Sequence, residues 1–370
     1  MANWTPVQEA PCADIGVPWA ELVLTRGGER RHPLPMNLRL REVAVEGDGA
    51  ALIVQGITGM HRCTWRVDLE RGTADLQDAV DLSALRSRYG DVRAGNRSAS
   101  SGTCPRRAVL EVPRGPGTLH ALVSLPSQRL DSSPPPLVID VHGGPWPGLD
   151  LDDATRRAAP WLEAGFAHLA VEYRASGALG RGPMEHVLRG ADVPGPGDDA
   201  SDVLAAWETL RRQPWAQEVD SDRAVLFGFS YGAYVVNRIV THPSAFPRWG
   251  LAICHEGVAD LRGLDQASMD MQVVRRGSTP GADPGHWSAA SPVDAVQEVS
   301  TPMLLVYGGR SPVLAQGEAW RDALRRAGTE IDWHVAPGEG HVFAGEAAAD
   351  IPRRARDLLG AWSDPRALPP

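Results

Sequence analysis

Between residues 137 and 362 the chain repeats one pattern. A run of five or six apolar residues meets a polar or glycine-rich break, and a longer stretch follows with apolar positions three and four apart. Residues 137–141 (Leu-Val-Ile-Asp-Val), 167–173, 224–229, 249–254, 303–307 and 331–335 are the short runs. Helical spacing falls at 152–164, 198–211, 230–241, 315–327 and 348–362. Short apolar strands alternating with helices predict an α/β chain built on a mostly parallel sheet, covered on both faces. Residues 262–294 break the rhythm with polar sequence, and read as an insertion over the carboxyl ends of the strands, where open α/β sheets bind ligands.

Before about residue 130 the period is two. Residues 50–56, 62–69, 109–113 and 119–126 alternate apolar and polar, and Arg71-Gly72 reads as a turn between strands. The run Asp131-Ser132-Ser133-Pro134-Pro135-Pro136 is a breaker-rich connector. A small β-rich unit ahead of a larger α/β unit is the organisation that this change of period predicts.

Composition narrows the classes. With 370 residues and a net charge of −9, and with no run of basic residues, the chain offers no surface for nucleic acid. No stretch approaches eighteen apolar residues, and the N-terminus lacks a basic region followed by an apolar one, so no membrane span and a cytoplasmic location are expected. Four scattered cysteines, Cys12, Cys63, Cys104 and Cys254, form no C-x-x-C pair. They read as reduced thiols, and no metal or cofactor is called for.

The chemistry gathers at Gly228-Phe229-Ser230-Tyr231-Gly232, which follows an apolar run and opens a helical one. This is a nucleophile elbow in its required context. Glycines two before and two after leave room for neighbouring backbone, and the hydroxyl stands at a helix N-terminus, which favours developing negative charge. A serine nucleophile needs a base, best placed on a loop after the last strand. His341, in Pro337-Gly338-Glu339-Gly340-His341, has that position, whereas His168 and His334 sit in strands and read as structural. For an oxyanion hole, the Tyr231 N–H would serve together with an N–H from His142-Gly143-Gly144-Pro145 after strand 137–141. Trp146, Trp287, Met269 and Met271 are the candidates for an apolar cleft around a substrate group.

These pieces, with Glu172-Tyr173-Arg174-Ala175-Ser176, Asp202-Val203-Leu204, Ser291-Pro292 and 302–308, run in an order and spacing that resembles the prolyl oligopeptidase family of serine peptidases. The match covers about residues 108–362. The resemblance implies an α/β-hydrolase catalytic domain over 108–370, behind a small β-rich domain over 1–107. It also implies Ser230 as nucleophile, His341 as base, and Tyr231, Gly143 and His142 around the oxyanion, the last with a possible side-chain donor. The substrate would be a small peptide or acyl compound.

Two departures stand against the family pattern. Members carry a many-bladed propeller before the hydrolase domain, and here residues 44–80 read as a single blade. The family's acid follows strand 303–307 in a G-x-x-D pattern, whereas this chain has Gly308-Gly309-Arg310-Ser311, with Ser311 in the acid slot. Glu256, after the preceding strand, is one candidate to replace the acid. A weaker dyad with Ser311 orienting His341 is another, and Asp260 reads as a helix cap. An esterase, an acyl-transferring or cyclising enzyme, and a non-hydrolytic binding or isomerising protein on the same scaffold stay open. So does a homodimer paired through edge strands of the N-terminal unit.

Overall fold

The computed structural model describes residues 3–9, 21–34, 39–47, 49–58, 61–80, 106–114, 117–128, 130, 132–144, 151–174, 198–242, 249–265, 268–269, 272–273 and 278–362. Fifteen strands are formed among them, in three sheets. The first sheet joins β1 (Thr5–Glu9), β2 (Glu21–Arg26) and β3 (Glu29–Arg31). The second is an antiparallel meander of β4 (Arg39–Val45), β5 (Ala51–Thr58), β6 (His61–Asp68) and β7 (Thr73–Val80). Gly72, at a φ of 69°, turns the chain from β6 into β7. Trp4, Leu22, Leu24, Leu52, Val54 and Val67 share one apolar cluster, so the first two sheets pack together. The stretch 39–80 is therefore a four-stranded unit.

The large sheet has eight strands. Its members are β8 (Arg106–Arg114), β9 (Gly117–Leu125), β10 (Pro136–Val141), β11 (Ala167–Val171), β12 (Asp220–Phe229), β13 (Leu251–His255), β14 (Met303–Gly308) and β15 (Ile331–Ala336). The order across it is β15-β14-β13-β12-β10-β11-β9-β8. From β11 to β15 every pairing is parallel, and β9 pairs antiparallel with both β8 and β11. Six helices are described: α1 (Leu151–Glu163), α2 (Asp198–Arg211), α3 (Tyr231–Val240), α4 (Pro284–Ala290), α5 (Leu314–Ala327) and α6 (Gly345–Trp362).

Alternation along the buried strands sorts the side chains onto two faces. Leu137, Ile139 and Val141 of β10 join Val203, Leu210, Val236, Ile239, Trp320 and Leu324 from α2, α3 and α5. Val138, Val225, Ile253 and Leu304 face the other way, onto Trp161 of α1 and Ile351, Ala355 and Leu359 of α6. The chain is an α/β-hydrolase with small antiparallel sheets at its N-terminal end. Arg174 locks the chain after β11 to α2: its guanidinium and its backbone N–H all donate to the buried Asp202 carboxylate, at 2.8–3.0 Å.

One close approach seats the central helix. A Cβ on Gly232, in the first turn of α3, would overlap the Val141 carbonyl of β10, and one on Gly228 would overlap the Gly232 carbonyl. Gly232→Ala sets side chain against backbone, so it should destabilise by about 3 kcal/mol or more and lower the midpoint of thermal unfolding by roughly 10 °C. Gly338→Ala, whose Cβ meets nothing within 4 Å, should shift the same midpoint negligibly.

Candidate active site

Ser230 sits where β12 turns into α3, and the turn is strained: its φ is 54° and its ψ −118°. Among the described residues only one other non-glycine residue has a positive φ, and it is Glu256, at 59°. Glu256 follows β13 directly and is buried. Backbone strain of this kind persists only where the surroundings over-determine it, and it concentrates at functional sites. Here the surroundings are explicit. The Ser230 N–H donates to the His255 carbonyl at 2.9 Å, and the Glu256 N–H to the Val306 carbonyl at 2.9 Å, so each tight corner is anchored on the neighbouring strand.

His341 bridges the two corners. Its Nε2 lies 2.9 Å from Ser230 Oγ and its Nδ1 lies 3.1 Å from Glu256 Oε2. The same carboxylate accepts from the Gly308 N–H at 2.5 Å through Oε1, and from the Ser311 hydroxyl through Oε2. Phe229 packs on the imidazole with ring centroids 5.3 Å apart. An imidazole held this way keeps Nδ1–H toward the carboxylate and leaves Nε2 free to take the hydroxyl proton. Of the two sequence candidates, Glu256 therefore contacts the ring, and Ser311 contacts Glu256.

The remaining sequence candidates fall into different places. Tyr231 opens α3, so its backbone N–H belongs to the first turn, whose donors have no acceptor within the helix. Its hydroxyl donates to Asp199 Oδ2 at 2.6 Å. Gly143 lies close against this corner: a Cβ there would come 3.0 Å from the Phe229 ring and 3.3 Å from Ser230 Cβ. His142 departs from the expectation of a side-chain donor at the oxyanion. Its ring stacks on Tyr173 at 4.3 Å and, with Gly143, lines a cavity of about 220 Å³ that Ser230 and His341 do not line. Trp287 departs from the expectation of a cleft residue, being fully buried in the core with its Nε1–H donating to the Ser278 carbonyl. Met269 packs against the same core. Trp146 and Met271 lie outside the described residues. Asp260 caps a short helical turn as expected, accepting from the Arg262 N–H at 3.0 Å.

A cavity of about 210 Å³ opens beside Ser230 and His341. Tyr231, Tyr234, Val258, Leu261 and Leu264 form its apolar wall, and Asp265, Ser268 and Gln272 its polar end. The wall was within reach of the sequence. Tyr234 is one helical turn beyond Tyr231, and apolar residues recur every third position at 258, 261 and 264.

The Prolyl oligopeptidase family model matches residues 152–362. The chain belongs to the prolyl oligopeptidase family. Dipeptidyl-peptidase 5 of Aspergillus fumigatus is 26% identical over 232 residues, covering 60% of this chain and 31% of that protein. Dipeptidyl aminopeptidase BIII of Pseudoxanthomonas mexicana is 28% identical over 227 residues, covering 57% and 31%. The chain thus spans about a third of the length of these curated relatives. A puromycin-hydrolyzing peptidase of Mycobacterium tuberculosis superposes with a TM-score of 0.65 at 18% identity, over 93% of this chain and 58% of that one. The acylaminoacyl peptidase of Pyrococcus horikoshii gives 0.59 at 16% identity, over 92% and 51%. Within this family Ser311 stands at the position that the resemblance gives to the acid, and the carboxylate beside the imidazole comes from the next strand over.

His255, one residue before Glu256, is also buried. Burial first, and then the facing His341, push its pKa down to about 3. The unfolded chain binds that proton near pH 6.5 and the native one only near pH 3. The neutral His255 therefore contributes stability that is full above about pH 6.5 and is lost as the pH falls toward 3. His255→Phe removes this proton uptake, so its acid unfolding midpoint, followed by circular dichroism, should lie at lower pH than that of the parent.

Proposed function

We propose that the chain is a serine peptidase that cleaves a short peptide through an acyl-enzyme on Ser230. The observation that carries this reading is the unbroken line Ser230 Oγ–His341 Nε2, His341 Nδ1–Glu256 Oε2, at 2.9 and 3.1 Å. His341 acts as general base, taking the hydroxyl proton as Oγ attacks the amide carbonyl, and then gives it to the leaving amine. The tetrahedral oxyanion is held by the Tyr231 N–H and an N–H of the 143–144 backbone, a contribution of roughly 10²- to 10³-fold per donor. Water, activated by the same imidazole, releases the acyl group. The residue on the acyl side of the scissile bond enters the cavity beside Tyr231 and Tyr234, whose size suits a proline, valine or leucine side chain rather than an indole.

Glu256 is the acid of this site, and Ser311 is a positioning residue that acts through it. Without the carboxylate the imidazole loses both its tautomer and the partner of its charged form, whereas the Ser311 hydroxyl fixes only one carboxylate oxygen.

Two experiments test the reading. A fluorophosphonate should label the parent protein, and labelling should vanish in Ser230→Ala. An unlabelled, folded parent overturns the mechanism. In hydrolysis of aminoacyl-p-nitroanilides, Glu256→Gln should lower kcat by about 10³- to 10⁴-fold with little change in KM. Ser311→Ala should lower it by roughly ten- to a hundredfold. Glu256→Gln combined with Ser311→Asp, which returns a carboxylate to the slot after β14, should recover part of the loss. Equal activity of Glu256→Gln and the parent rules out Glu256 as the acid.

A further inference from the structure

Two buried side chains hold the carbonyls of the loop that leaves β10. The Tyr173 hydroxyl donates to the His142 carbonyl at 3.0 Å and stands 3.4 Å from that of Gly143. His142 Nδ1 lies 2.7 Å from the Gly143 carbonyl. A carbonyl can only accept, so Nδ1 carries the hydrogen and donates it. The same nitrogen is 3.2 Å from the Tyr173 oxygen, and the two rings stack with 21° between their planes. Phenol, imidazole and both carbonyls thus form one cluster, in which His142 and Tyr173 are 3% and 0% exposed.

Tyr173 is itself held firmly. The Glu172 N–H before it donates to the His120 carbonyl of β9 at 3.0 Å. After it, the Arg174 N–H and guanidinium donate to the buried Asp202 carboxylate. Its ring packs on His142 and, 6.0 Å away, on Tyr231. The phenol is therefore a rigid post beside a loop with little rigidity of its own. Gly144 has a φ of 133°, and the peptide shared by Gly143 and Gly144 can rotate at low cost.

The direction of each carbonyl decides the direction of an N–H. In a planar trans peptide the two point opposite ways. The His142 carbonyl, held by Tyr173, turns the Gly143 N–H away from the phenol. The Gly143 carbonyl, held by the imidazole, does the same for the Gly144 N–H. What the loop meets on its other side is Ser230. Gly144 lines the Ser230 cavity, which neither His142 nor Tyr173 lines, and a Cβ on Gly143 would come 3.3 Å from Ser230 Cβ.

Resting on the acyl-enzyme reading above, we propose that Tyr173 is a positioning residue for the oxyanion hole, acting with the His142 ring through the loop backbone. It holds the loop carbonyls back and so keeps the loop N–H groups aimed at the substrate oxygen. Donors set in advance need no reorganisation when charge develops on that oxygen. The phenol stands behind the loop, so its loss is felt in the tetrahedral state and not in ground-state binding.

The test compares the parent with Tyr173→Phe, which keeps the ring and removes the hydroxyl. The probes are leucinal and leucinol, an aldehyde and its alcohol. With leucinal, Ser230 Oγ bonds the aldehyde carbon, His341 Nε2 takes the hydroxyl proton, and the C=O electron pair moves onto oxygen as an oxyanion. Leucinol has no carbonyl and forms no adduct. Inhibition constants are measured against leucine p-nitroanilide. The parent should bind leucinal at least about a hundredfold tighter than leucinol. In Tyr173→Phe that ratio should shrink at least about tenfold, with leucinol unchanged and kcat lower by roughly ten- to a hundredfold at an unchanged KM. His142→Phe, which keeps a stacked ring and removes Nδ1–H, should shrink the ratio too, and takes over should Tyr173→Phe not fold. A variant that weakens both probes equally has reshaped the cavity, which overturns the proposal. So does a folded Tyr173→Phe with the ratio of the parent. A parent with no preference for leucinal overturns the acyl-enzyme reading and the proposal together, so the two failures are told apart.

Discussion

The contact between Gly232 and the Val141 carbonyl is the constraint on which the site depends. It lets α3 lie against β10 closer than any side chain would permit, and so brings the first turn of the helix beside the backbone that leaves β10. That backbone carries Gly143 and Gly144. The turn carries Ser230, pushed to a φ of 54° because the strand must become a helix within one residue. The hydroxyl, the first-turn N–H groups of the helix and the glycine loop converge because of this one approach. The strain at Ser230 is held by the hydrogen bond of its N–H to the His255 carbonyl and by the packed core on both faces of the sheet.

The position of the carboxylate beside His341 follows from the strand order. His341 descends from β15, and β14 lies between β15 and β13. A carboxylate offered after β14 is a short side chain's reach from the imidazole. One offered after β13 starts one strand further away, about 4.8 Å. Two features make up that distance. Glutamate has one more methylene than aspartate, and the positive φ of Glu256 tips it out of the line of its strand. It then passes by Gly308, whose N–H it accepts, and meets the Ser311 hydroxyl. Ser311 is small enough to leave room and polar enough to hold the visitor. An aspartate there would set two carboxylates against each other, so the serine and the glutamate make sense only as a pair.

Much of this was legible in the sequence, for physical reasons that differ by region. Buried parallel strands are continuous apolar runs, so β10, β12, β14 and β15 stand out, and α2 was read with the bounds the structure gives it. The strand after α1 ends at Val171, sooner than its apolar run, although its backbone pairing with β9 continues for one more residue. The Glu172 N–H bonds the His120 carbonyl, and the Tyr173 hydroxyl reaches the carbonyl of His142. The strands before β5 were missed, since short edge strands with mixed polarity carry little periodicity. Ser230 and His341 were legible because glycines mark both loops. The choice between Glu256 and Ser311 was not. Both follow strands of the same sheet, and only the backbone twist at Glu256 decides which one meets the ring. Trp287 misled for a general reason: a large aromatic in a polar stretch has the same sequence signature in a cleft as in a core.

The paired cavities extend this logic. A strand edge that presents Ser230, Glu256 and His341 to one side must present their neighbours to the other, and those neighbours cannot be polar without cost. Phe229 and Val342 meet that requirement, and aromatic packing supports the site: Phe229 packs on both His341 and His255, and Phe343 on His255. His255 is the exception. It supplies the carbonyl that anchors the Ser230 N–H, a task any residue could perform, yet its side chain is a buried imidazole facing aromatic rings. A phenylalanine would fill that position with no unpaired nitrogen.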